Sequence, residues 1–119
     1  MSPSPSSVDE GELRRDLVLA CRILGRNGHG DSIYGHVSAR LDERRILMKA
    51  SYVGLEEVGE KDILTLDLDG TVLGGSGKRH LEYPIHTEIM AARPDVGAVV
   101  HTHSPAVCQF AALDLLRQA

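Results

Sequence analysis

The stretch Ala98-Val99-Val100-His101-Thr102-His103-Ser104-Pro105 predicts a β-strand that ends in two histidines and leads into a helix. Its apolar first half is typical of a strand that is buried on both faces, and Ser104 followed by Pro105 is a helix-start signal. On a strand, His101 and His103 would point to the same face, a few ångströms apart. Paired imidazoles bind zinc and other first-row divalent ions. The stretch therefore predicts two ligands of a metal site; the alternative is a pair of ordinary sheet histidines, each needing hydrogen-bond partners.

A carboxylate upstream of this strand is the second candidate for chemistry. Glu82 precedes Tyr83 and Pro84, which open a helix predicted to run to about Ala92. Glu82 is either an acid or base in a reaction, or a carboxylate that caps the helix, where the helix dipole favours negative charge. His80 and His86 flank Glu82. Because His86 lies four residues beyond Glu82, the two side chains can share a helix face, although either histidine could equally be solvated.

Apolar periodicity divides the rest of the chain into helices and strands. A first helix is predicted to begin after Asp9, its N-cap, and to end at Gly25 and Gly28. The other predicted strands are Ile33–Leu41, Arg45–Lys49, Ile63–Asp67 and Val72–Leu73, the last two joined by a tight turn at Asp69-Gly70. A helical turn is predicted at Gly54–Val58. This order predicts one α/β domain over residues 9–119 with a largely antiparallel sheet, after a disordered Ser/Pro-rich tail at residues 1–8.

Composition excludes several classes of function. The chain has 119 residues, a net charge of −4 and scattered basic residues, which argues against a protein that binds nucleic acid or a membrane surface. No apolar stretch is long enough to span a bilayer, and the first residues lack the features of a secretory signal. Cys21 and Cys108 lie in apolar helical patterns, so we expect free buried thiols in a cytoplasmic protein.

The segment Gly35-His36-Val37-Ser38 is a candidate for ligand binding. Backbone N–H groups beside a glycine and a serine can hold an anion. The alternative interpretation is a strand with a bulge.

From about Asp9 to Ala119, the sequence resembles the class II aldolase/adducin family, of the fuculose-phosphate aldolase type. The most specific part is Glu82–Pro105, which contains the acid, the helix, Arg93-Pro94-Asp95 and the H-x-H strand. Residues 35–40 resemble the family's glycine-(Asn or His)-Val-Ser segment, and residues 49–55 lie where the family has a second substrate loop.

The resemblance implies a three-layer α/β/α sandwich that assembles as a homotetramer and binds one divalent ion, zinc being expected, together with a small-molecule substrate. It implies that His101 and His103 are metal ligands and Glu82 is the catalytic acid/base; Gly35, His36 and Ser38 are the expected substrate-binding residues. The implied reaction is carbon–carbon lyase chemistry, either aldol cleavage or decarboxylation of a hydroxy-keto compound through an enediolate.

Two departures from the family pattern bear on function. The sugar-phosphate aldolases carry two serines before the acid, where this chain has His80 and Leu81, which argues against a phosphorylated sugar. The family's third metal histidine lies beyond the position of Ala119, so either the C-terminal part is missing or another chain completes the site. The alternative functions are a non-catalytic, adducin-like interaction domain and an inactive fragment.

Overall fold

A computed structural model describes residues 9–29, 35–102, 104, 109 and 113 of the chain. Two helices, α1 (Glu10–Arg26) and α2 (Tyr83–Ala92), accompany five strands. The strands are β1 (His36–Arg40), β2 (Arg45–Lys49), β3 (Ile63–Asp67), β4 (Val72–Gly74) and β5 (Ala98–His101). Two short 3₁₀ turns, Leu55–Glu57 and Glu60–Asp62, lie between β2 and β3.

Helix α1 begins as its sequence predicts. The Asp9 side chain accepts a hydrogen bond from the backbone N–H of Glu12, at 3.2 Å, and so satisfies one of the donors left open at a helix start. Leu17, Val18 and Cys21 recur at helical spacing and form its buried face. The free thiol predicted for Cys21 is confirmed, whereas Cys108 lies outside the described residues.

The five strands form one antiparallel sheet in the order β4-β3-β2-β1-β5. The short loop between β3 and β4 contains the predicted Asp69-Gly70 turn, and a similarly short loop joins β1 and β2, so these neighbours pair locally. The pairing of β1 with β5 joins distant parts of the chain and sets His36 opposite His101. The site predicted from the sequence therefore depends on this one long-range register.

Strand alternation gives the sheet two covered faces. On one face, α1 packs on an apolar cluster that includes Val37, Leu47 and Ile63. On the other face, Met90 of α2 packs with Ile46, Met48, Leu64 and Leu66. The predicted three-layer α/β/α sandwich is thus confirmed.

One prediction about β5 is wrong. Its apolar run predicts a strand that is buried on both faces, but within the described residues β5 is an edge strand of the sheet and Val100 is 51% exposed. The physical reason is the alternation of side chains. Val99 faces α2 and packs against the cluster around Met90, while Val100 points to the opposite face beyond the reach of α1.

Several predictions fall on residues that are not described. These are the disordered tail at residues 1–8, the start of the first predicted strand at Ile33, His103, and most of the final helix. Gln109 and Leu113 have helical backbone conformation. Within the described residues, neither helix has the length and apolar character needed to cross a membrane.

Candidate metal and proton-transfer site

Four histidines and one glutamate meet where β1 and β5 pass the start of α2. His36 is at the centre, and its ring centroid lies 4.3 Å from that of His80, 4.7 Å from His86 and 4.5 Å from His101. Its Nε2 atom lies 3.5 Å from Glu82 Oε1. Gly35 allows the chain to enter β1 at this point, since its φ of +90° is one that L side chains rarely adopt.

Glu82 occupies the N-cap position of α2, but its side chain makes no capping hydrogen bond. The carboxylate instead faces His36 and remains 47% exposed. Although desolvation raises its pKa, the hydrogen bond from His36 and the nearby histidines outweigh that effect and hold the pKa of Glu82 below its ordinary value. Glu82 is therefore an ionised carboxylate at neutral pH, able to accept a proton. Helix capping, the alternative role for this side chain, is not what it does here.

His86 and Ser38 lie behind His36 with no exposed surface. His86 Nε2 is 2.5 Å from His36 Nδ1, and His86 Nδ1 is 2.6 Å from Ser38 Oγ. Burial, followed by the neighbouring His36, lowers the pKa of His86 to about 3. The possibility that His86 is merely solvated is thus wrong, because the ring lies between α2 and the sheet.

His80 is also nearly buried, at 8% exposure. Its Nδ1 accepts a hydrogen bond from the backbone N–H of Glu82 at 3.3 Å, which leaves Nε2 for another partner. Burial and the nearby Lys49 lower the pKa of His80. The alternative in which His80 is merely solvated is therefore wrong as well.

The donor set suits a divalent cation. One ligand atom each from His36, His80 and Glu82 can be chosen so that all three lie within 4.8 Å of one another. A metal requires a neutral imidazole, and burial supplies it, since desolvation and then His80 lower the pKa of His36 to about 4. Two imidazoles and a carboxylate form a ligand type common for zinc.

The structure brings most of the predicted site residues together. Glu82, His36 and Ser38 belong to one connected group, and His101 lies beside His36 on the neighbouring strand. His103 lies outside the described residues. The sequence suggests that backbone N–H groups of β1 could hold an anion. In the structure this segment is a regular strand, and Ser38 and Ala39 pair with both β2 and β5. Any binding role of this segment therefore belongs to its side chains.

Sequence reasoning underestimated His80 and His86. Both were candidates only by their closeness to Glu82 along the chain. Their common partner His36 lies on β1, and nothing in the local pattern of residues 80–86 indicates which strand the helix start contacts. The sequence carries one weak signal, which is that His36 follows Gly35 at the start of β1 while His80 and His86 flank Pro84 at the start of α2.

The loop after β2 flanks the site. Lys49 is fully buried, with its ammonium group donating to the carbonyls of Val53 and Ala50. Burial lowers its pKa. Tyr52 is 70% exposed and has a φ of +65°, a strained conformation for a side chain of this kind.

Comparisons with known proteins agree on the family. Residues 15–118 match the model of the class II aldolase and adducin N-terminal domain. The chain is 36% identical over 115 residues to 3,4-dihydroxyphthalate decarboxylase from Arthrobacter keyseri, covering 90% of this chain and 46% of that protein. It is 37% identical over 93 residues to methylthioribulose-1-phosphate dehydratase from Pseudomonas aeruginosa, covering 78% of this chain and 45% of that protein.

Solved structures show the same fold. An aldolase II superfamily protein from Pseudomonas syringae has a TM-score of 0.73 at 32% identity, covering 88% of this chain and 42% of the other. L-fuculose 1-phosphate aldolase from Glaciozyma antarctica has a TM-score of 0.75 at 26% identity, covering 87% and 45%. The chain thus spans less than half the length of each of these four proteins.

Proposed function

Since this chain belongs to the class II aldolase and adducin family, we propose that it carries the histidine-rich half of a divalent-metal-dependent lyase site that breaks a carbon–carbon bond. The observation that carries the proposal is the orientation of Glu82. Its carboxylate leaves the helix N-terminus uncapped and faces His36, which burial keeps neutral. A carboxylate placed in this way can move a proton beside a bound cation.

In this proposal, His101 and His103 are metal ligands, and zinc is the expected ion. The neighbouring His36, His80 and Glu82, although close enough together to hold a cation, serve the substrate and the proton instead. When bound, the ion stabilises the negative charge that develops on a substrate oxygen as the bond breaks. Glu82 transfers the proton, while Gly35 and His36 form part of the wall that contacts the substrate. As the resemblance implies, we expect a homotetramer in the cytoplasm.

Decarboxylation is the reaction we favour. Of the two relatives described above, 3,4-dihydroxyphthalate decarboxylase matches the larger share of this chain. His80 stands where sugar-phosphate aldolases have a serine, and its imidazole is neutral and nearly buried. A neutral ring offers a phosphate dianion no countercharge, but it can hydrogen bond to a hydroxyl or a carboxylate.

Metal binding is tested by titrating the metal-free protein with zinc in a calorimeter. We expect saturable binding by the wild type, and a loss of affinity of more than about 100-fold in the double variant His101→Ala, His103→Ala, because both ligands are removed. His29→Ala is the matched control, since it removes a histidine outside the cluster. Equal stoichiometry and affinity in the wild type and the double variant would remove the metal assignment.

The role of Glu82 is tested with Glu82→Gln at unchanged metal content. With 3,4-dihydroxyphthalate as the probe, we expect carbon dioxide release to fall by about 10²–10⁴-fold, the usual contribution of a positioned acid or base. Glu88→Gln, an exposed position on α2, is the control. Undiminished turnover in Glu82→Gln would show that another group transfers the proton. Cleavage of L-fuculose 1-phosphate without carbon dioxide release from the aromatic acid would instead favour aldol chemistry.

A further inference from the structure

A chain of hydrogen-bonding groups runs from the interior of the sheet to Glu82. It begins at Ser38 Oγ, passes through both ring nitrogens of His86 and both of His36, and ends at Glu82 Oε1. The distances are 2.6 Å, 2.5 Å and 3.5 Å in that order. Ser38, His86 and His36 are all at most 1% exposed, so water does not compete for these contacts.

The outer end of this chain determines the direction of every hydrogen bond. An ionised carboxylate can only accept, so His36 Nε2 must carry the proton that points to Glu82. A neutral His36 then has a bare Nδ1, which accepts from His86 Nε2–H. His86 Nδ1 is bare in turn and accepts from the Ser38 hydroxyl. Burial, which lowers the pKa of both rings, keeps them neutral at pH 7.

We propose that His36 is a positioning residue for Glu82, and that the buried Ser38–His86 pair stabilises the His36 tautomer with a proton on Nε2, which is the tautomer that donates to Glu82. This inference rests on the proposed role of Glu82 in proton transfer. It goes beyond that role because it assigns roles to His36 and Ser38 of β1 and to His86 of α2.

Glu82 depends on a neighbouring residue to fix the position of its carboxylate. Its side chain is about half exposed and makes no capping bond, so nothing on α2 itself holds the carboxylate in place. His36 is rigid by comparison, because it lies in a strand that pairs with β5 and is covered by α2. A fixed donor on a rigid strand restricts a carboxylate that would otherwise sample several rotamers.

The inner end of the chain matters because the histidine tautomers are coupled. If Ser38 no longer donates, His86 can place its proton on Nδ1 and present a bare Nε2. His36 then gains by donating from Nδ1, and its Nε2 loses the proton that binds Glu82. Removal of the Ser38 hydroxyl should therefore change the tautomer of His36, which it contacts only through His86, without any change in charge.

The test uses the metal-free 119-residue chain, labelled with nitrogen-15 in its histidines, near pH 7.5. Nitrogen-15 spectra distinguish the bare from the protonated ring nitrogen. In the wild type we expect His36 and His86 each as a single Nε2–H tautomer. In Ser38→Ala we expect loss of that single pattern, with the Nδ1–H form appearing at both rings.

Matched variants separate this effect from a general loss of structure. Thr87→Val removes a buried hydroxyl one residue from His86 whose own bond goes to the Tyr83 carbonyl, so both tautomers should remain as in the wild type. His86→Gln retains an amide donor for His36 Nδ1 and should preserve the His36 tautomer, whereas His86→Leu should lose it. If His86→Leu does not fold, the spectra of Ser38→Ala and His86→Gln still test whether the buried pair affects the tautomer of His36.

Two results would overturn the inference: a wild-type His36 that is doubly protonated or carries its proton on Nδ1, or a Ser38→Ala spectrum identical to that of the wild type. The measurement involves neither ion nor substrate. Failure here would leave the zinc titration and the Glu82→Gln assay unaffected, and failure of those tests would leave the tautomers as measured.

Discussion

The two faces of β1 differ in chemistry although they belong to the same five residues. Val37 and Ala39 point towards α1 and join an apolar cluster. His36 and Ser38 point towards α2, where each hydrogen bonds to His86. Both pairs are buried to a similar extent, with no member above 8% exposure.

The two faces of β1 therefore separate the residues that stabilise the fold from those that are suited to chemistry. Apolar burial is favourable by itself, at about 25 cal/mol per Å², whereas a buried polar group stabilises nothing unless it is hydrogen bonded. Arg40, at the end of the polar face, donates to the carbonyls of Met90, Arg93 and Val96 and so satisfies acceptors at the end of α2. The α1 face thus supplies stability, and the α2 face holds a polar group whose arrangement has a chemical use.

The largest expected effect is on the apolar face. Leu47 is fully buried in the cluster under α1, so Leu47→Ala should lower the free energy of unfolding by about 2–5 kcal/mol through lost burial and the cavity that remains. Urea denaturation measures it. Leu19→Ala, at a position on α1 that is 57% exposed, should change stability by less than about 0.5 kcal/mol. If Leu47→Ala lowered the free energy of unfolding less than a substitution at any polar position of β1, the apolar face would not be the main source of stability.

A second, smaller effect compares two hydroxyls on opposite faces. Ser38→Ala leaves His86 Nδ1 buried without its partner, so we expect a loss of about 1–3 kcal/mol in the free energy of unfolding. Thr65 lies on the α1 side and accepts from Arg14, whose side chain is 22% exposed and can turn to water. Thr65→Val should therefore cost less than about 1 kcal/mol. Equal losses in chemical denaturation would mean that the two faces tolerate unpaired polar groups alike.

The effect that is smallest per step of the measurement is a dependence of stability on pH that arises on the polar face. Folding lowers the pKa of His86 from 6.5 to about 3, mainly by burial. Above pH 6.5 the ring is neutral in both states, so its contribution to stability is complete. Below that, the unfolded chain binds a proton that the folded chain excludes until near pH 3. His86 alone should therefore lower the free energy of unfolding by up to about 1.4 kcal/mol for each unit of decreasing pH, and His36, whose pKa is lowered to about 4, adds to the same slope.

Urea denaturation of the metal-free chain from about pH 7.5 to about pH 5 measures this slope, because carboxylates contribute mostly at lower pH. His86→Gln, which removes the titrating ring, should show a shallower dependence than the wild type. Parallel curves for the two proteins would show that His86 is not the group responsible.

Local patterns were sufficient for most of the secondary structure. The bounds of β2 and β3 match their predictions residue for residue, because apolar runs between Asp, Glu and Gly turns leave little freedom in where a short strand begins and ends. The start of α1 at Asp9 and the end of α2 at Ala92 follow from an N-cap and from Arg93-Pro94 in the same way.

The site could be predicted only in part. Glu82, His36 and His101 are recognisable by type and context, and whether His103 joins them stays a prediction. The burial of His86 and the edge position of β5 follow from contacts between segments that are far apart in the chain.

The sequence by itself determined which residues form strands and helices, which face of each is apolar, and that histidines and a carboxylate mark the chemistry. Only the tertiary structure decided that β5 pairs with β1, that His36 becomes the common neighbour of His80, His86 and His101, and that Glu82 turns from its helix towards that ring. The reason is that periodicity and capping act over a few residues, whereas strand register and helix docking are set by the combined burial of the whole core.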